Sequence, residues 1–193
     1  MNLLILRISF LMILKIFGYP ARTSLVQHTP RNLCSMVATI TLSPIVKQLA
    51  SDYPEYQFRA GDVFSWSHHS RTITYINEAS PAAIAQLLHE TAHAVLDHHH
   101  YTRDIDLIAM ERQAWELAVH QLAPRYNITL AMNDDVVQDA LDSYRKWLHA
   151  RSTCPTCSAV GIEIAKHQYR CLHCASNWRV NEARSCELRR YRK

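Results

Sequence analysis

Glycine is scarce in this chain, with only 3 among 193 residues. So few glycines exclude a Gly-rich phosphate-binding loop, and the sequence contains neither a Walker-type nor a dinucleotide-binding pattern. Strong net charge is missing too: 21 Lys and Arg against 17 Asp and Glu leave +4, which alone does not indicate a nucleic-acid-binding protein. Hydrophobic residues at 48% and charged residues at 20% exclude wholesale disorder and a multi-span membrane protein. The length suits one domain plus at most a small module.

The chain also lacks a long apolar run free of charge. Leu3–Phe17 is almost wholly apolar, but it is shorter than the roughly 20 residues of a spanning helix and contains Arg7 and Lys15. It lacks the basic start and small-residue cleavage site of a signal peptide. Three interpretations remain open: a membrane-surface or anchor helix, a core helix, and an extension upstream of a later start such as Met36. Residues 18–41 show no periodicity, so residues 1–40 are predicted to be an apolar segment and linker.

Helix and strand signals begin at Ser43-Pro44, a serine cap with proline at the first helical position. Two β-rich runs follow, Val63–Trp66 and Arg71–Ile76, and the polar segment between them indicates a hairpin turn. His68 and His69 in that turn resemble metal ligands, although a polar turn explains them equally well. Further signals predict helices over residues 80–97, 104–122 (ended by Pro124) and 133–150.

Histidine and cysteine are abundant, at 12 and 6 residues, which indicates metal binding where the spacing agrees. His89-Glu90-Thr91-Ala92-His93 is an H-E-x-x-H motif within the second predicted helix. Residues four apart lie about 40° apart around a helix, so both imidazoles reach one ion. Glu90, next to the first ligand, is placed to polarise a metal-activated water without binding the metal itself.

A catalytic zinc site needs a third protein ligand, and the next helix contains two carboxylates, Glu111 and Glu116. At about 100° per residue, Glu111 lies in the middle of the apolar stripe, whereas Glu116 lies about 140° away on the polar face. A carboxylate on the core-facing side is costly unless a cation meets it, and zinc held by His89 and His93 would be that cation. Glu111 is therefore predicted as the third ligand and Glu116 as a solvated residue.

The two blocks together resemble the ImmA/IrrE metallopeptidases. Those proteins combine H-E-x-x-H with an E-R-E-A-N-x-F-A block and a Leu-x-Pro helix end, which here correspond to Glu111–Ala118 and Leu122–Pro124. The chain departs from the pattern at Gln113, Trp115 and Leu117, none of which is a proposed ligand. The resemblance covers about residues 40–125. It implies a cytoplasmic zinc-dependent endopeptidase whose third zinc ligand is Glu111, and whose substrate is a transcriptional repressor or another DNA-associated protein.

The expected reaction is peptide-bond hydrolysis, in which zinc on the three ligands lowers the pKa of bound water from about 15.7 towards about 7. Glu90 accepts the water proton and then passes a proton to the leaving amine. The strand Thr72–Ile76 is predicted to pair with an extended substrate. The candidates for stabilising the oxyanion are Tyr75, Tyr101 and one of His98–His100. The histidine run is equally explained as a cationic helix end, because the helix dipole favours positive charge there.

Four of the six cysteines form two C-x-x-C pairs, with 13 residues between the pairs: Cys154, Cys157, Cys171 and Cys174. Four thiolates brought together by two tight turns close a tetrahedral structural zinc site. Strands at 160–165 and around Tyr169 predict a zinc-ribbon hairpin, which is too small to bury a real core, so metal binding is expected to provide much of its folding free energy. Such a thiol-rich module indicates a reducing, cytoplasmic compartment. Three further candidates are left without a metal role: His173, Cys34 and Cys186.

Charge is unevenly distributed along the chain. Residues 151–193 contain 9 Lys and Arg against 3 Glu, a net +6, whereas residues 1–150 contain 12 against 14, a net −2. Trp178, Arg179 and the tail Arg189–Lys193 combine cations with aromatic rings, as contacts to DNA or RNA do. A solvated tail or a protein-docking ribbon is an equal alternative.

Two other functions remain open. A SprT-like protease also joins H-E-x-x-H to a zinc ribbon and acts on DNA-bound proteins, but its third ligand is typically a downstream histidine in a His-Gly pair, which this sequence lacks. A non-catalytic two-zinc nucleic-acid-binding regulator is the alternative from another class, and the intact Glu90 argues against it.

The architecture predicted is α+β. A zincin-like metallopeptidase domain, with a short antiparallel sheet packed on helices, covers residues 41–150, and a basic zinc ribbon and tail cover residues 151–193. Each holds one Zn²⁺, catalytic in the first and structural in the second. Membrane association and the oligomeric state are not predicted by the sequence.

Overall fold

The computed structural model describes residues 42–182 and 187–192, so the predictions for residues 1–41 (Cys34 and Met36 among them), Cys186 and Lys193 lie outside the described residues. Within the described ranges the chain is mixed α+β, with four longer helices and two small sheets, which confirms the predicted class. None of the helices in these ranges is long and apolar enough to span a membrane.

The first sheet follows helix α1 (Leu42–Asp52) and has three short strands: β1 (Gln57–Ala60), β2 (Ser65–Ser67) and β3 (Thr72–Tyr75). β2 and β3 form the predicted hairpin, with Trp66 paired to Ile73. β1 pairs in parallel with the other side of β3, so the strand order is β1-β3-β2. The prediction of an antiparallel sheet is therefore wrong in part, because the sheet is mixed and β3 is its central strand.

Helix α2 (Pro81–Val95) carries the H-E-x-x-H motif through the main core. The Ser80 side chain caps it by accepting a hydrogen bond from the Ala83 N–H at 3.1 Å, and Pro81 occupies the first turn, where no N–H partner is needed. Every residue from Ala83 to Ala94 is buried. A helix buried all round packs on several elements at once, here β2, β3 and α3.

Helix α3 (Asp104–Leu117) packs on α2 and continues as a π-helical segment (Ala118–Leu122) and one further turn (Ala123–Arg125). The predicted stop at Pro124 is slightly early, because a proline in the first turn of a helical segment has no N–H bond to lose. Helix α4 (Asp135–Ser152) packs against α3 and ends two residues beyond the predicted boundary at 150.

The second sheet lies in the C-terminal region and is antiparallel, in the order β4-β5-β6-β7. Its strands are β4 (Gly161–Ala165), β5 (Gln168–Cys171), β6 (Asn177–Val180) and β7 (Arg190–Arg192). The predicted hairpin is present as β4 and β5, but two further strands extend it. Tyr169 and Trp178 stack in its small core, with ring centroids 5.6 Å apart. Gly161 is required beside them, because a Cβ there would lie 2.5 Å from the Trp178 ring.

A buried polar cluster joins this sheet to the helices, and we call it the junction: Asp104, Arg151, Glu163 and Tyr169. The Asp104 carboxylate is fully buried and accepts hydrogen bonds from the Arg151 guanidinium and the Tyr169 hydroxyl. Glu163 Oε2 accepts a hydrogen bond from the Asp104 N–H at 2.6 Å. Charge-assisted hydrogen bonds shielded from water therefore hold the start of α3, the end of α4 and the second sheet together.

Candidate metal centres

The structure brings together the three residues that the motif and the helical periodicity predict as catalytic-metal ligands, His89, His93 and Glu111. Glu111 Oε2 lies 3.1 Å from His89 Nε2 and 3.4 Å from His93 Nε2, and the two Nε2 atoms are 3.1 Å apart. Each of the three side chains is at most 2% exposed. We call this group the His–Glu cluster.

The spacing of the donor atoms suits a tetrahedral ion. Ligand atoms at zinc–ligand distances of 2.0–2.1 Å and tetrahedral angles lie about 3.3 Å from one another. The observed separations of 3.1–3.4 Å agree with that value. Glu111 Oε1 and His89 Nδ1 are buried without a hydrogen-bond partner, so a divalent ion would offset much of the cost of burying the carboxylate. Zinc or another divalent transition metal fits this donor set.

The protonation states also favour metal binding. Burial, reinforced by the neighbouring His93, lowers the pKa of His89 to about 4, so its imidazole is neutral near pH 7. Burial alone would raise the pKa of Glu111, but the neighbouring His93 and His89 outweigh it and hold the pKa well below the usual range. A neutral imidazole and an ionised carboxylate are the forms that bind metal.

Glu90, the predicted catalytic base, lies beside the cluster and is fully buried. Gln86 Nε2 donates a hydrogen bond to Glu90 Oε1 at 3.1 Å, whereas Glu90 Oε2 has no partner. Burial raises the pKa of Glu90 to about 7. A carboxyl group with a pKa near 7 and one free oxygen is suited to accept and return a proton at neutral pH.

Two rings hold the ligand imidazoles in place. Trp115 stacks on His89, with ring centroids 4.2 Å apart and an angle of 20° between the planes. His98 Nδ1 lies 2.9 Å from His93 Nδ1, on the side of the ring facing away from Glu111. Burial lowers the pKa of His98 to about 4, so the neutral ring can accept a hydrogen bond from His93 and leave His93 Nε2 as a lone-pair donor. This contact has no signal in the sequence, because His98 follows the helix, where no periodicity applies.

Two predictions about the surroundings of the cluster need correction. His98, a candidate for oxyanion stabilisation, lies behind His93 rather than in front of the donor atoms. The predicted pairing of a substrate with Thr72–Ile76 is wrong, because β3 has a neighbouring strand on both sides. Within residues 42–182, β2 keeps one unpaired edge. The proposed roles of Tyr75 and Tyr101 stay predictions.

Glu116 occupies the polar position that the angular argument gave it. Its side chain is 41% exposed, and its carboxylate pairs with Arg112 Nε at 2.8 Å on the same helix. Glu111, five residues earlier, is fully buried. The helix therefore separates the two carboxylates, and only Glu111 meets the histidines.

The four cysteines of the two C-x-x-C pairs also come together. Cys154 Sγ lies 3.6 Å from Cys174 Sγ, and Cys157 Sγ lies 3.5 Å from Cys171 Sγ. These separations exclude disulfide bonds, which are about 2.05 Å long, and are close to the roughly 3.8 Å between sulfurs of a tetrahedral zinc site. All four are free cysteines. We call this group the cysteine cluster, and its donor set fits a closed structural metal site.

The two cysteine turns share one backbone design. In each, the N–H of the first cysteine donates to the carbonyl five residues later, from Cys154 to Ala159 at 2.8 Å and from Cys171 to Ser176 at 2.9 Å. The residue after the second cysteine has a positive φ in both turns, 61° at Ser158 and 58° at Ala175. Backbone N–H groups also point at the sulfurs of both first cysteines at 3.4 Å.

The two faces of the second sheet differ in what they offer a partner. Trp178 is 1% exposed and donates its indole N–H to the Arg151 carbonyl at 3.0 Å, so its predicted role in nucleic-acid contact is wrong. The opposite face is exposed, and there the Arg179 guanidinium lies 5.9 Å from the Tyr191 ring centroid. The predicted basic tail is partly structural, since Arg190 and Arg192 donate hydrogen bonds to the carbonyls of Ala150 and Pro155.

No family model, curated protein or solved structure matches this chain at a significant level.

Proposed function

We propose that this chain is a zinc-dependent endopeptidase, in which His89, His93 and Glu111 hold the catalytic ion and Glu90 is the catalytic base. One observation carries the proposal: three donor atoms converge at 3.1–3.4 Å beside a buried carboxyl group that has a free oxygen. Three protein ligands leave one position of a tetrahedral ion open, as catalytic zinc sites require. A purely structural site needs neither the open position nor the adjacent acid.

The residues around the ion have separate tasks in this mechanism. His89, His93 and Glu111 would hold the zinc ion, which when bound would lower the pKa of a water molecule towards neutrality. Glu90 Oε2 takes the proton of the attacking water and returns a proton to the leaving amine, while Gln86 holds the other oxygen of the same carboxylate. His98 positions the His93 ring so that Nε2 faces the ion.

We place the substrate along the unpaired edge of β2. β2 packs on α2, and the Trp66 backbone N–H approaches the Glu90 carboxylate. An extended peptide added at this edge runs beside the motif helix, with its main chain held by hydrogen bonds. Because Glu90 and the His–Glu cluster are buried, substrate reaches them only when covering groups move aside. We therefore expect flexible segments of a substrate protein to be cut in preference to its folded segments.

The position of Glu111 supports the resemblance to the ImmA/IrrE metallopeptidases over the SprT-like alternative. A SprT-like site needs a downstream histidine as the third ligand, but His98 contacts the far side of His93 and His120 is exposed. A non-catalytic regulator would have no use for a buried acid whose pKa is raised to about 7. A transcriptional repressor as the substrate rests on the resemblance alone.

Glu90→Gln tests the mechanism. Wild type and variant are incubated with a mixture of unfolded proteins, new N-termini are counted by mass spectrometry, and zinc is measured in the same samples. We expect cleavage to fall by about 10²–10⁴-fold with zinc content unchanged, because general acid–base catalysis contributes that much. Glu116→Gln, on the exposed face of α3, is the matched control and should cleave as wild type. A zinc-loaded Glu90→Gln protein with undiminished cleavage would refute the mechanism.

A second function is favoured by the exposed face of the C-terminal sheet. We propose that the cysteine cluster holds a structural zinc ion in a zinc ribbon, and that this face contacts DNA or RNA. The outward positions of β5, β6 and β7 contain no acid: Gln168, Arg170, Asn177, Arg179 and Tyr191. Arginine beside an exposed aromatic ring suits phosphate contact together with base stacking.

Salt-dependent binding of a fluorescent single-stranded oligonucleotide measures this contact. The double variant Arg170→Ala/Arg179→Ala should bind more weakly and reduce the slope of log affinity against log salt by about 1.4. The control is Arg112→Ala/Arg145→Ala, which removes two exposed arginines from helices. Equal binding by both double variants would leave the basic face without a nucleic-acid role.

A further inference from the structure

Two histidine runs are not used by the proposed mechanism as ligands, one in the β2–β3 turn and one after α2. The structure divides the second run. His98 is buried against His93, whereas His99 turns outward and meets His68 from the hairpin turn, with imidazole centroids 4.8 Å apart. Asp97 joins them, its Oδ1 lying 3.3 Å from His68 Nε2. Three metal-ligating residues from two separate elements therefore share one exposed spot.

The donor atoms of this group are close enough for one ion. One ligand atom from each of His68, Asp97 and His99 lies within 4.8 Å of the other two. The His68 and Asp97 side chains are 43% and 60% exposed, so small rotations can close the remaining distance. The chain turns sharply at Asp97, which has a φ of 54°, and this turn presents its carboxylate and His99 on the same side. Aspartate tolerates this left-handed conformation better than most residues.

The His99 ring is already oriented as a ligand. Its Nδ1 lies 2.8 Å from the Asp97 carbonyl oxygen, so Nδ1–H donates there and Nε2 keeps the lone pair. Ligating histidines in metal sites typically donate their second ring N–H to a backbone carbonyl or a carboxylate in this way. The hydrogen bond therefore selects the tautomer that binds metal through Nε2.

We propose that His68, Asp97 and His99 form a surface site for a divalent transition-metal ion, separate from both clusters described above. Two imidazole nitrogens and one carboxylate oxygen favour Zn²⁺, Ni²⁺ or Cu²⁺ over Mg²⁺ and Ca²⁺, which prefer oxygen ligands alone. Because the site is exposed, water completes the coordination. A bound ion would connect the β2–β3 turn to the turn after α2. Because that second turn carries His98, the ion would also restrain the contact of His98 with His93.

Zinc titration of the full-length protein tests the proposal. Each protein is purified with its firmly held ions, dialysed against increasing ZnCl₂, and analysed for bound zinc. Wild type should bind one more ion per chain than His68→Ala/His99→Ala. The matched control is His69→Ala/His120→Ala, which removes two exposed histidines outside the group and should keep the extra ion. The result is a difference between variants, so it does not depend on how many ions the other clusters hold.

Asp97→Asn refines the test, because asparagine keeps the left-handed turn but removes the carboxylate charge. We expect it to weaken binding of the extra ion by about tenfold or more. All exchanged side chains are exposed, so unfolding midpoints measured in chelator should agree among the proteins. An extra ion retained by His68→Ala/His99→Ala, or lost equally from the control, would overturn the proposal.

Discussion

The His–Glu cluster and the cysteine cluster have similar donor spacing but opposite surroundings. Among residues 42–182 and 187–192, the first lies in a core of 21 buried apolar side chains, and its donors come from two packed helices. In the same ranges the second lies beside a core of five buried residues, two of which are its own cysteines, and its donors come from two turns and the strand end at Cys171. Packed helices can position donor atoms without an ion, whereas turns with so small a core are expected to need one. We therefore expect the fold to build the first centre by itself, and a bound ion to be needed for the region around the second.

The largest effect is expected where an ion supports the fold. Cys171→Ser should unfold the C-terminal sheet while the helices stay folded, because structural zinc supplies about 10–16 kcal/mol in small zinc domains. Indole N–H signals measure this by NMR: the Trp178 signal should move to its unfolded position, whereas those of Trp66 and Trp115 should remain. His173→Ala, in the same turn, is the control and should change neither. A native Trp178 signal in Cys171→Ser would remove the contrast between the regions.

The next largest effect is expected at the junction, which connects the two regions. Asp104→Asn keeps the side-chain size but leaves the Arg151 guanidinium, which is 1% exposed, without its counter-charge. Removing one partner of a buried ion pair costs about 3–5 kcal/mol, so the free energy of unfolding in urea should fall by that amount. Asp142→Asn removes an exposed acid that pairs with Arg145 and should cost about 1 kcal/mol or less. Equal losses in both variants would contradict a stabilising junction.

Local signals were sufficient to predict most of the fold. Ser80-Pro81 predicted the start of α2 because cap and proline act within one turn, and alternation predicted the β2–β3 hairpin. β1 was missed because four residues carry too little alternation, and its parallel pairing with β3 is non-local. β7 was missed for a related reason, since Arg190–Arg192 has the composition of a solvated tail and becomes a strand only by pairing with β6.

At the candidate site, helical periodicity was informative and tertiary contacts were not predictable. Angular position alone distinguished Glu111 from Glu116, because burial on a helix follows from the residue's place around the axis. Nothing local indicated that His98 contacts His93 or that His99 meets His68, since both contacts depend on how a turn packs. Asp104 was unremarkable at a helix start, where acids are common, yet it anchors the junction.

A smaller effect on stability is expected at the His–Glu cluster, where packing rather than an ion supports the fold. Glu111→Gln should lower the free energy of unfolding in chelator by about 1–3 kcal/mol, because glutamine keeps the shape and one hydrogen bond to the histidines but lacks the charge. With zinc present, wild type should gain more thermal stability than the variant, because the variant keeps the other two metal-binding groups but has an incomplete ligand set at the His–Glu cluster. A Glu111→Gln protein that unfolds in chelator would make the two regions alike in their dependence on metal.

The smallest effect is expected at Glu116, which tests the same helix from its other face. The Arg112–Glu116 pair is exposed, so Glu116→Gln should lower the free energy of unfolding by only about 0.3–0.5 kcal/mol, measured by urea denaturation at low salt. Zinc content should equal that of wild type, because this carboxylate points away from His89 and His93. The two glutamates differ in burial and partner rather than in chemistry. Loss of zinc from Glu116→Gln, with zinc kept in Glu111→Gln, would reverse their assignment and with it the angular argument for the third ligand.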